Sequence, residues 1–348
     1  MTEQSGSDSQ NNVIAGQYRA LIYPSAYDAR HDTGRIESLE NHEVMIATRF
    51  SAVSRGTERL VYQGNVPPSK QDRMKCPHQR GEFTFPIVYG YACVGEIIEI
   101  GNDVTKCKTG DRVFVLHPHQ DIISVHENWV SPLPDNLPLD RATLSANAET
   151  ALNAVWDAEL KKTEKVAIIG AGVVGLLTGF IASKFTSEPI EIIDSDPRKK
   201  PIAQALGLQF SLAKELKQHK FDVIFHTSAS GTGLQAAINC ANFEGRIIEM
   251  SWYGNKSVDL SLGGAFHSQR LKLISSQVGH IAKPHRHNVS HMERMAQAIS
   301  ILDDNRLDKL LHPRVSFREL PESIDHIFDT KSDALCAIVE YGDQTQTR

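Results

Sequence analysis

The chain has 348 residues, 41% of them hydrophobic and 23% charged, with a formal net charge of −5. That length suits two domains better than one core, and the near-average composition predicts that most of the chain packs. No basic block stands out, which argues against nucleic acid or an anionic membrane as partner, and no run approaches the roughly 18 apolar residues that a membrane span needs.

Residues 1–12, MTEQSGSDSQNN, lack the basic and apolar regions of a signal peptide and read as a polar, disordered tail. The five cysteines, Cys76, Cys93, Cys107, Cys240 and Cys336, are scattered and odd in number, which suits a reducing cytoplasm. The next stretch is β-rich. Segments 17–23, 42–52, 87–100, 112–116 and 122–130 carry β-branched and aromatic residues, and turn signals such as Gly101-Asn102-Asp103 and Thr109-Gly110-Asp111 separate them. This pattern predicts a partly open barrel. From about Thr150 the rhythm becomes strand, helix, strand. Segment 165–169 is a short apolar strand, 173–183 an apolar helix, 189–193 a strand, and 198–206 a helix ending at Gly207. Segments 221–226, 246–252 and 271–278 read as further strands, so this part predicts a doubly wound parallel sheet. From about Ala282 the chain mixes a helix over 291–302 with a strand over 337–341. The expected organisation is a first domain over 13–149, a nucleotide-binding domain over 150–281, and a return segment over 282–348 that completes the first domain.

The strongest motif is Lys165-Val-Ala-Ile-Ile-Gly170-Ala-Gly172-Val-Val-Gly175. Gly170 allows a tight turn, Gly172 lets the backbone approach a pyrophosphate, and Gly175 lets helix pack on strand. Val173 and Val174 open the helix, whose first N–H groups and partial positive charge suit phosphates. Asp194 ends the next strand about 24 residues after Gly170, where a carboxylate accepts hydrogen bonds from ribose hydroxyls and repels a 2′-phosphate. NAD is therefore expected over NADP. Arg198 and Lys199 follow closely; they suit a phosphate, the adenine edge or plain solvation. Thr150, at the domain junction, completes the set of candidate cofactor contacts with Gly170, Gly172, Val173, Val174, Gly175, Asp194 and Lys199.

The order of a β-rich domain, a dinucleotide unit and a return segment resembles the medium-chain dehydrogenase/reductase superfamily. Ser54-Arg55-Gly56-Thr57-Glu58 looks like its Cys-Gly-Thr-Asp segment. Tyr89-Gly90-Tyr91-Ala92-Cys93-Val94-Gly95 sits where relatives have Gly-His-Glu and a small-residue strand, and Gly110-Asp111-Arg112-Val113 matches a family turn. Arg55-Gly-Thr-Glu-Arg-Leu60 is similar to the bacteriochlorophyllide dehydrogenases and to a set of zinc-type alcohol dehydrogenase-like proteins. The resemblance implies a GroES-like, partly open β-barrel catalytic domain beside a Rossmann sheet, and hydride transfer between nicotinamide and an alcohol or carbonyl.

The departures from that pattern concern metal. The family's catalytic zinc needs a Cys, a His and a third ligand. Here those positions hold Ser54 or Arg55, Tyr91, and the stretch Ala146-Asn147-Ala148, and no four cysteines cluster for a structural zinc. A zinc-independent member is expected, with no metal residues. Cys76-Pro-His78 and His117-Pro-His119 lack further ligands at a metal-binding spacing.

Without zinc, hydrogen-bond donors must manage the substrate oxygen. Tyr91 at a former ligand position is the best candidate donor, and a nearby cation would lower its pKa. Thr57 matches the relatives' proton-relaying hydroxyl. Glu58 suits substrate binding or the orienting of Arg55, and His119 follows a strand ending near the expected cleft. Each also has a plain structural reading as a turn hydroxyl, a packed ring, an exposed charge or a core polar group. Trp252-Tyr253-Gly254 suits a wall for a planar or bulky substrate, or core packing. A quinone- or enoyl-type reductase and a non-catalytic dinucleotide-binding protein are the alternatives to an alcohol/carbonyl oxidoreductase. The remaining expectations are a small-molecule substrate and a homodimer joined through the last Rossmann strands near 271–278.

Overall fold

The β-rich first part folds around one long central strand. The computed structural model describes residues 16–216 and 220–342, so the expected tail at 1–12 lies outside the described residues. An antiparallel ribbon of β1 (Gly16–Ile22) and β2 (Arg30–Ile36) comes first. β3 (Glu43–Val53) then pairs with three strands and is buried along most of its length, as a strand at the centre of a curved sheet must be. The chain continues through α1 (Arg55–Tyr62), α2 (Gln71–Met74), β4 (Arg80–Gly81), β5 (Ile87–Val88), β6 (Cys93–Ile100), β7 (Arg112–Val115), β8 (Ile122–His126) and β9 (Val130–Pro132). Short α3 (Leu139–Ala142) leads into α4 (Ser145–Ala158).

The parallel sheet follows. It comprises β10 (Val166–Ile169), α5 (Val173–Ala182), β11 (Glu191–Asp194), α6 (Lys200–Ala205), β12 (Gln209–Leu212), β13 (Phe221–His226), α7 (Gly231–Cys240), β14 (Ala241–Glu249) and β15 (Lys272–Ser275). Its strand order is β12-β11-β10-β13-β14-β15, all parallel. The order reverses beside β10, which opens a crevice at the carboxyl ends of β10 and β13. After α8 (His291–Ile301), β16 (Leu311–Ser316), α9 (Leu320–Phe328) and β17 (Cys336–Glu340) return to the first sheet, where β17 pairs antiparallel with β3. The architecture is the expected partly open GroES-like β-domain beside a doubly wound Rossmann sheet.

Several elements differ from the sequence pattern. The apolar run 87–100 is two strands, broken at residues 89–92 where Gly90 takes a φ of +137°. A Cβ at Gly90 would press to 3.0 Å from His119 Cδ2, so glycine lets the chain turn there and lifts Tyr91 out of a strand into a loop. Segment 122–130 likewise divides, with a 3₁₀ turn at Glu127–Trp129. β2, whose sequence RHDTGRI is polar and only partly buried, has no hydrophobic alternation to announce it. α4 is buried nearly all round and rich in alanine, so it shows little amphipathic period. It runs through residues 149 and 150, and packs against α5 and α8.

Candidate active site

Between the two sheets lies a cavity of about 530 Å³. Thr57 reaches it from the first turn of α1, Tyr91 from the loop between β5 and β6, Phe114 and Leu116 from the end of β7, and Thr150 from α4. Met250 and Trp252, just past β14, close the Rossmann side.

The wall of this cavity presents the hydroxyls of Tyr91 and Thr57, with the buried Ser54 beside them. Ser54 is the N-cap residue of α1, but its side chain makes no capping bond. Its N–H donates instead to Glu58 Oε1 at 2.7 Å. The Ser54 and Thr57 hydroxyls are polar neighbours of the Tyr91 phenol and act to lower its pKa. Burial pushes the Tyr91 phenol well above its ordinary range, and the Glu58 carboxylate adds to the shift; the two hydroxyls offset only part of it. The cation that would lower it is not among the groups acting on it. Tyr91 is therefore a neutral O–H donor set in the cavity wall.

Glu58 and His119 do not line the cavity. Both are fully buried behind it, with His119 Nε2 at 3.0 Å from Glu58 Oε2. His119 Nδ1 lies 2.7 Å from Ser51 Oγ, and Ser51 lies 3.0 Å from the Tyr341 hydroxyl. This layer ties α1 to β3 and the end of β17, and it holds the Ser54 backbone under Tyr91. Glu58 does not orient Arg55 either. That guanidinium turns the other way, donating to the carbonyls of Ile327 and Asp329 at 2.6 Å each and to that of Ala334. The reason is helical geometry: successive residues of α1 project about 100° apart, so Thr57 faces the cleft while Glu58 faces the barrel.

Of the cysteine and histidine pairs, His117 and His119 are buried, whereas Cys76 and His78 are half-buried and Cys76 reaches the cavity wall. Burial raises the Cys76 thiol to about 12 and lowers His117 to about 3. His117 stacks on His78 with ring centroids 5.3 Å apart. Among the described residues, no group of three or more His, Cys, Asp or Glu is arranged to hold a metal ion.

The glycine turn fits a dinucleotide. Gly170 has a φ of +113°, and a Cβ at Gly175 would collide with the Gly170 carbonyl. Gly172, by contrast, faces open space with nothing within 4 Å, and its side of the turn leads straight into the uncapped N–H groups of Val173 and Val174. Asp194 braces the turn: Oδ2 accepts from Ala171 N at 2.6 Å and Oδ1 from Asp196 N at 2.8 Å, leaving a lone pair on each oxygen. Arg198 is held by Asp196, Nε to Oδ1 at 2.9 Å, and so is not a free phosphate ligand. Lys199 is half-buried, with burial lowering its pKa and Asp196 and Asp194 raising it. The Thr150 hydroxyl donates to Ala146 O at 3.0 Å, so that residue contributes a wall more than a free donor.

Residues 40–134 match the alcohol dehydrogenase GroES-like domain. The D-guloside 3-dehydrogenase of Escherichia coli (strain K12) is 25% identical over 307 residues, covering 81% of this chain and 88% of that protein. The L-idonate 5-dehydrogenase structure from Escherichia coli aligns over 95% of this chain and 100% of its own, with a TM-score of 0.79 at 13% identity. An alcohol dehydrogenase from Escherichia coli CFT073, complexed with NADH, aligns over 93% and 99% with a TM-score of 0.74 at 13% identity. Residues 40–134 thus carry the GroES-like domain, and the chain as a whole shares the fold of these dehydrogenases. It is an oxidoreductase.

Two charged pairs have no signature in the sequence pattern. Arg294, 1% exposed, bonds Glu149 Oε1 at 3.1 Å, Asn153 Oδ1 at 2.6 Å and Val278 O at 2.6 Å. It pins the 278–280 wall of the cavity to α4 and α8. Burial raises the Glu149 carboxyl, and Arg294 opposes that rise. The second group, His226 with Glu249, closes β13 and β14. Neither pair was readable beforehand, because their members lie 145 and 23 residues apart and carry no spacing signal.

Proposed function

We propose that this chain is a medium-chain, zinc-independent, NAD(H)-dependent oxidoreductase that interconverts an alcohol and a carbonyl. The observation that carries the reading is the pair of hydroxyl side chains, Tyr91 and Thr57, lining the inter-domain cavity. The family's zinc-ligand positions here hold hydroxyl, phenol and alanine-rich groups, a donor set without the thiolate, imidazole or carboxylate that zinc takes.

Gly170, Gly172, Val173, Val174 and Gly175 would hold the pyrophosphate, with Asp194 and Lys199 at one ribose; bound nicotinamide supplies or accepts the hydride. The chain's own work is at the oxygen. In the reducing direction the carbonyl oxygen gains charge as hydride arrives. Tyr91 donates to it and passes it a proton, while Thr57 and Ser54 donate to the phenol oxygen left behind; water then reprotonates Tyr91. A phenol with a raised pKa remains more acidic than an alcohol near about 16, so the transfer runs downhill. Asp194 favours NAD by repelling a 2′-phosphate, and Arg198 is engaged elsewhere.

The cavity also supports a substrate class. Met74, Phe114, Leu116, Trp129, Trp252 and Met292 form much of its lining, and its buried charges, Glu149 and Arg294, are spent on each other. Such a wall suits an alcohol or ketone with a bulky apolar body over a polyol, whose hydroxyls would find few partners. The same lining fits a conjugated enone or quinone, which is the second reading. The test is turnover with NAD(H) across bulky cyclic alcohols and their ketones, polyols and enones. Preferential turnover of sorbitol would overturn the substrate class, and NADPH-dependent enone reduction alone would favour the second reading. We also place the enzyme in the cytoplasm as a homodimer. Its five free cysteines suit the first, and the edge position of β15, with Leu273 41% exposed, suits the second.

A further inference from the structure

A hydrogen-bonded Ser–His–Glu chain lies on the Rossmann side, apart from the Tyr91 and Thr57 hydroxyls. His226 is fully buried at the end of β13, and Glu249 stands beside it in register at the end of β14. Nδ1 of His226 is 2.7 Å from Glu249 Oε2, and Nε2 is 2.7 Å from Ser228 Oγ. Ser251 N donates to Glu249 Oε1 at 2.7 Å and the Tyr253 hydroxyl to Oε2 at 3.1 Å. Burial acts to raise the Glu249 carboxyl, but His226 and Ser251 outweigh it and hold the group below its ordinary range.

An ionised carboxylate only accepts, so the proton on Nδ1 must point to Glu249. Nε2 is then left to Ser228, whose Oγ it holds at 2.7 Å, and the rest of this exposed residue's hydroxyl remains open to a ligand. Space has been kept for the arrangement. A Cβ at Gly233 would stand 2.5 Å from Ser228 Oγ and 2.9 Å from His226 Nε2.

Ser228 also sits against the glycine turn. A Cβ at Gly170 would be 3.0 Å from Ser228 N, and Thr227 Oγ1 donates to Gly170 O at 3.0 Å. Asp194 bonds the turn from the β11 side, and Ser228 adjoins it from the β13 side, because β10 lies between those strands. A dinucleotide carries one ribose on each side of its pyrophosphate. We propose that Ser228, held in place by His226 and Glu249, hydrogen-bonds a hydroxyl of the second ribose, the one on the nicotinamide side. This rests on the dinucleotide reading of the glycine turn.

Calorimetric titration of the full-length protein with ADP, ADP-ribose and NADH tests it, since ADP lacks the second ribose. Ser228→Ala should weaken ADP-ribose and NADH roughly five- to tenfold, the size of one lost hydrogen bond, and leave ADP unchanged. Asp194→Ala should weaken all three. Glu249→Gln should move the His226 ring ¹⁵N shifts and weaken the same two ligands as Ser228→Ala, with circular dichroism checking its fold. If Ser228→Ala leaves ADP-ribose binding intact, or weakens ADP equally, the proposal is wrong and the dinucleotide reading stands. If the unmodified protein binds none of the three, both fail.

Discussion

Replacing Tyr91 by Phe removes one oxygen from the wall of the cavity and little else. The ring keeps its edge-on contact with Tyr89, whose centroid is 6.1 Å away at 87°. The Ser54 and Thr57 hydroxyls lose a polar neighbour, but both can turn to other acceptors. The stability change should therefore stay within about 1.5 kcal/mol. Catalysis should respond far more. A donor aimed at a developing oxyanion contributes about 2.7–4 kcal/mol, so kcat should fall roughly 10²–10³-fold. Tyr91 lies on the β-domain side, away from the glycine turn, so NADH affinity should hold within about twofold of the unmodified protein. The pH profile adds a second check. Burial and Glu58 raise the phenol's pKa, so its O–H persists as pH rises and is lost only above the usual tyrosine range near about 10. Carbonyl reduction should show no alkaline limb from Tyr91 between about pH 7 and about pH 9. Stopped-flow single turnovers with NADH measure both. Near-normal kcat in Tyr91→Phe would refute the donor role. An alkaline limb near about pH 8 that disappears in the variant would refute the raised pKa.

The unmodified protein should bind NADH more tightly than NADPH, and Asp194→Ala should narrow the gap while loosening the turn it braces through Ala171 N; tighter NADPH binding at the outset would defeat the carboxylate reading. Arg294→Met strands Glu149 as a buried carboxylate without its partner and should cost about 3–5 kcal/mol in urea unfolding, with the double variant Glu149→Gln/Arg294→Met recovering part of that; full stability in the single variant would show the pair is dispensable. Chelation with EDTA should leave turnover intact and elemental analysis should find no stoichiometric zinc; one tightly held zinc per chain would contradict the donor set at Ser54, Tyr91 and Ala146. Light scattering should give twice the chain mass, and Leu273→Arg on the edge strand β15 should shift it toward the single chain; a monomer at micromolar concentration would remove the dimer.

The Rossmann half was legible because its signals are local. The glycines at 170, 172 and 175 act within one turn, Asp194 ends the next strand at a set distance, and apolar strands such as Phe221–His226 announce themselves by composition. The placement of Thr57 and Tyr91 in the cavity followed from the resemblance of residues 54–58 and 89–95 to the family's ligand-bearing segments. What the chain order does not encode is which polar groups turn inward. Glu58 and His119 are 61 residues apart, and only the packing of α1 against the barrel makes them a buried pair behind the site. Arg294 and Glu149 meet across 145 residues, and Ser228, His226 and Glu249 join only because β13 and β14 lie side by side in register. A charged residue in isolation is best solvated by water; its burial is favourable only once partners from distant segments have been brought within hydrogen-bonding reach, and that is decided by the tertiary fold.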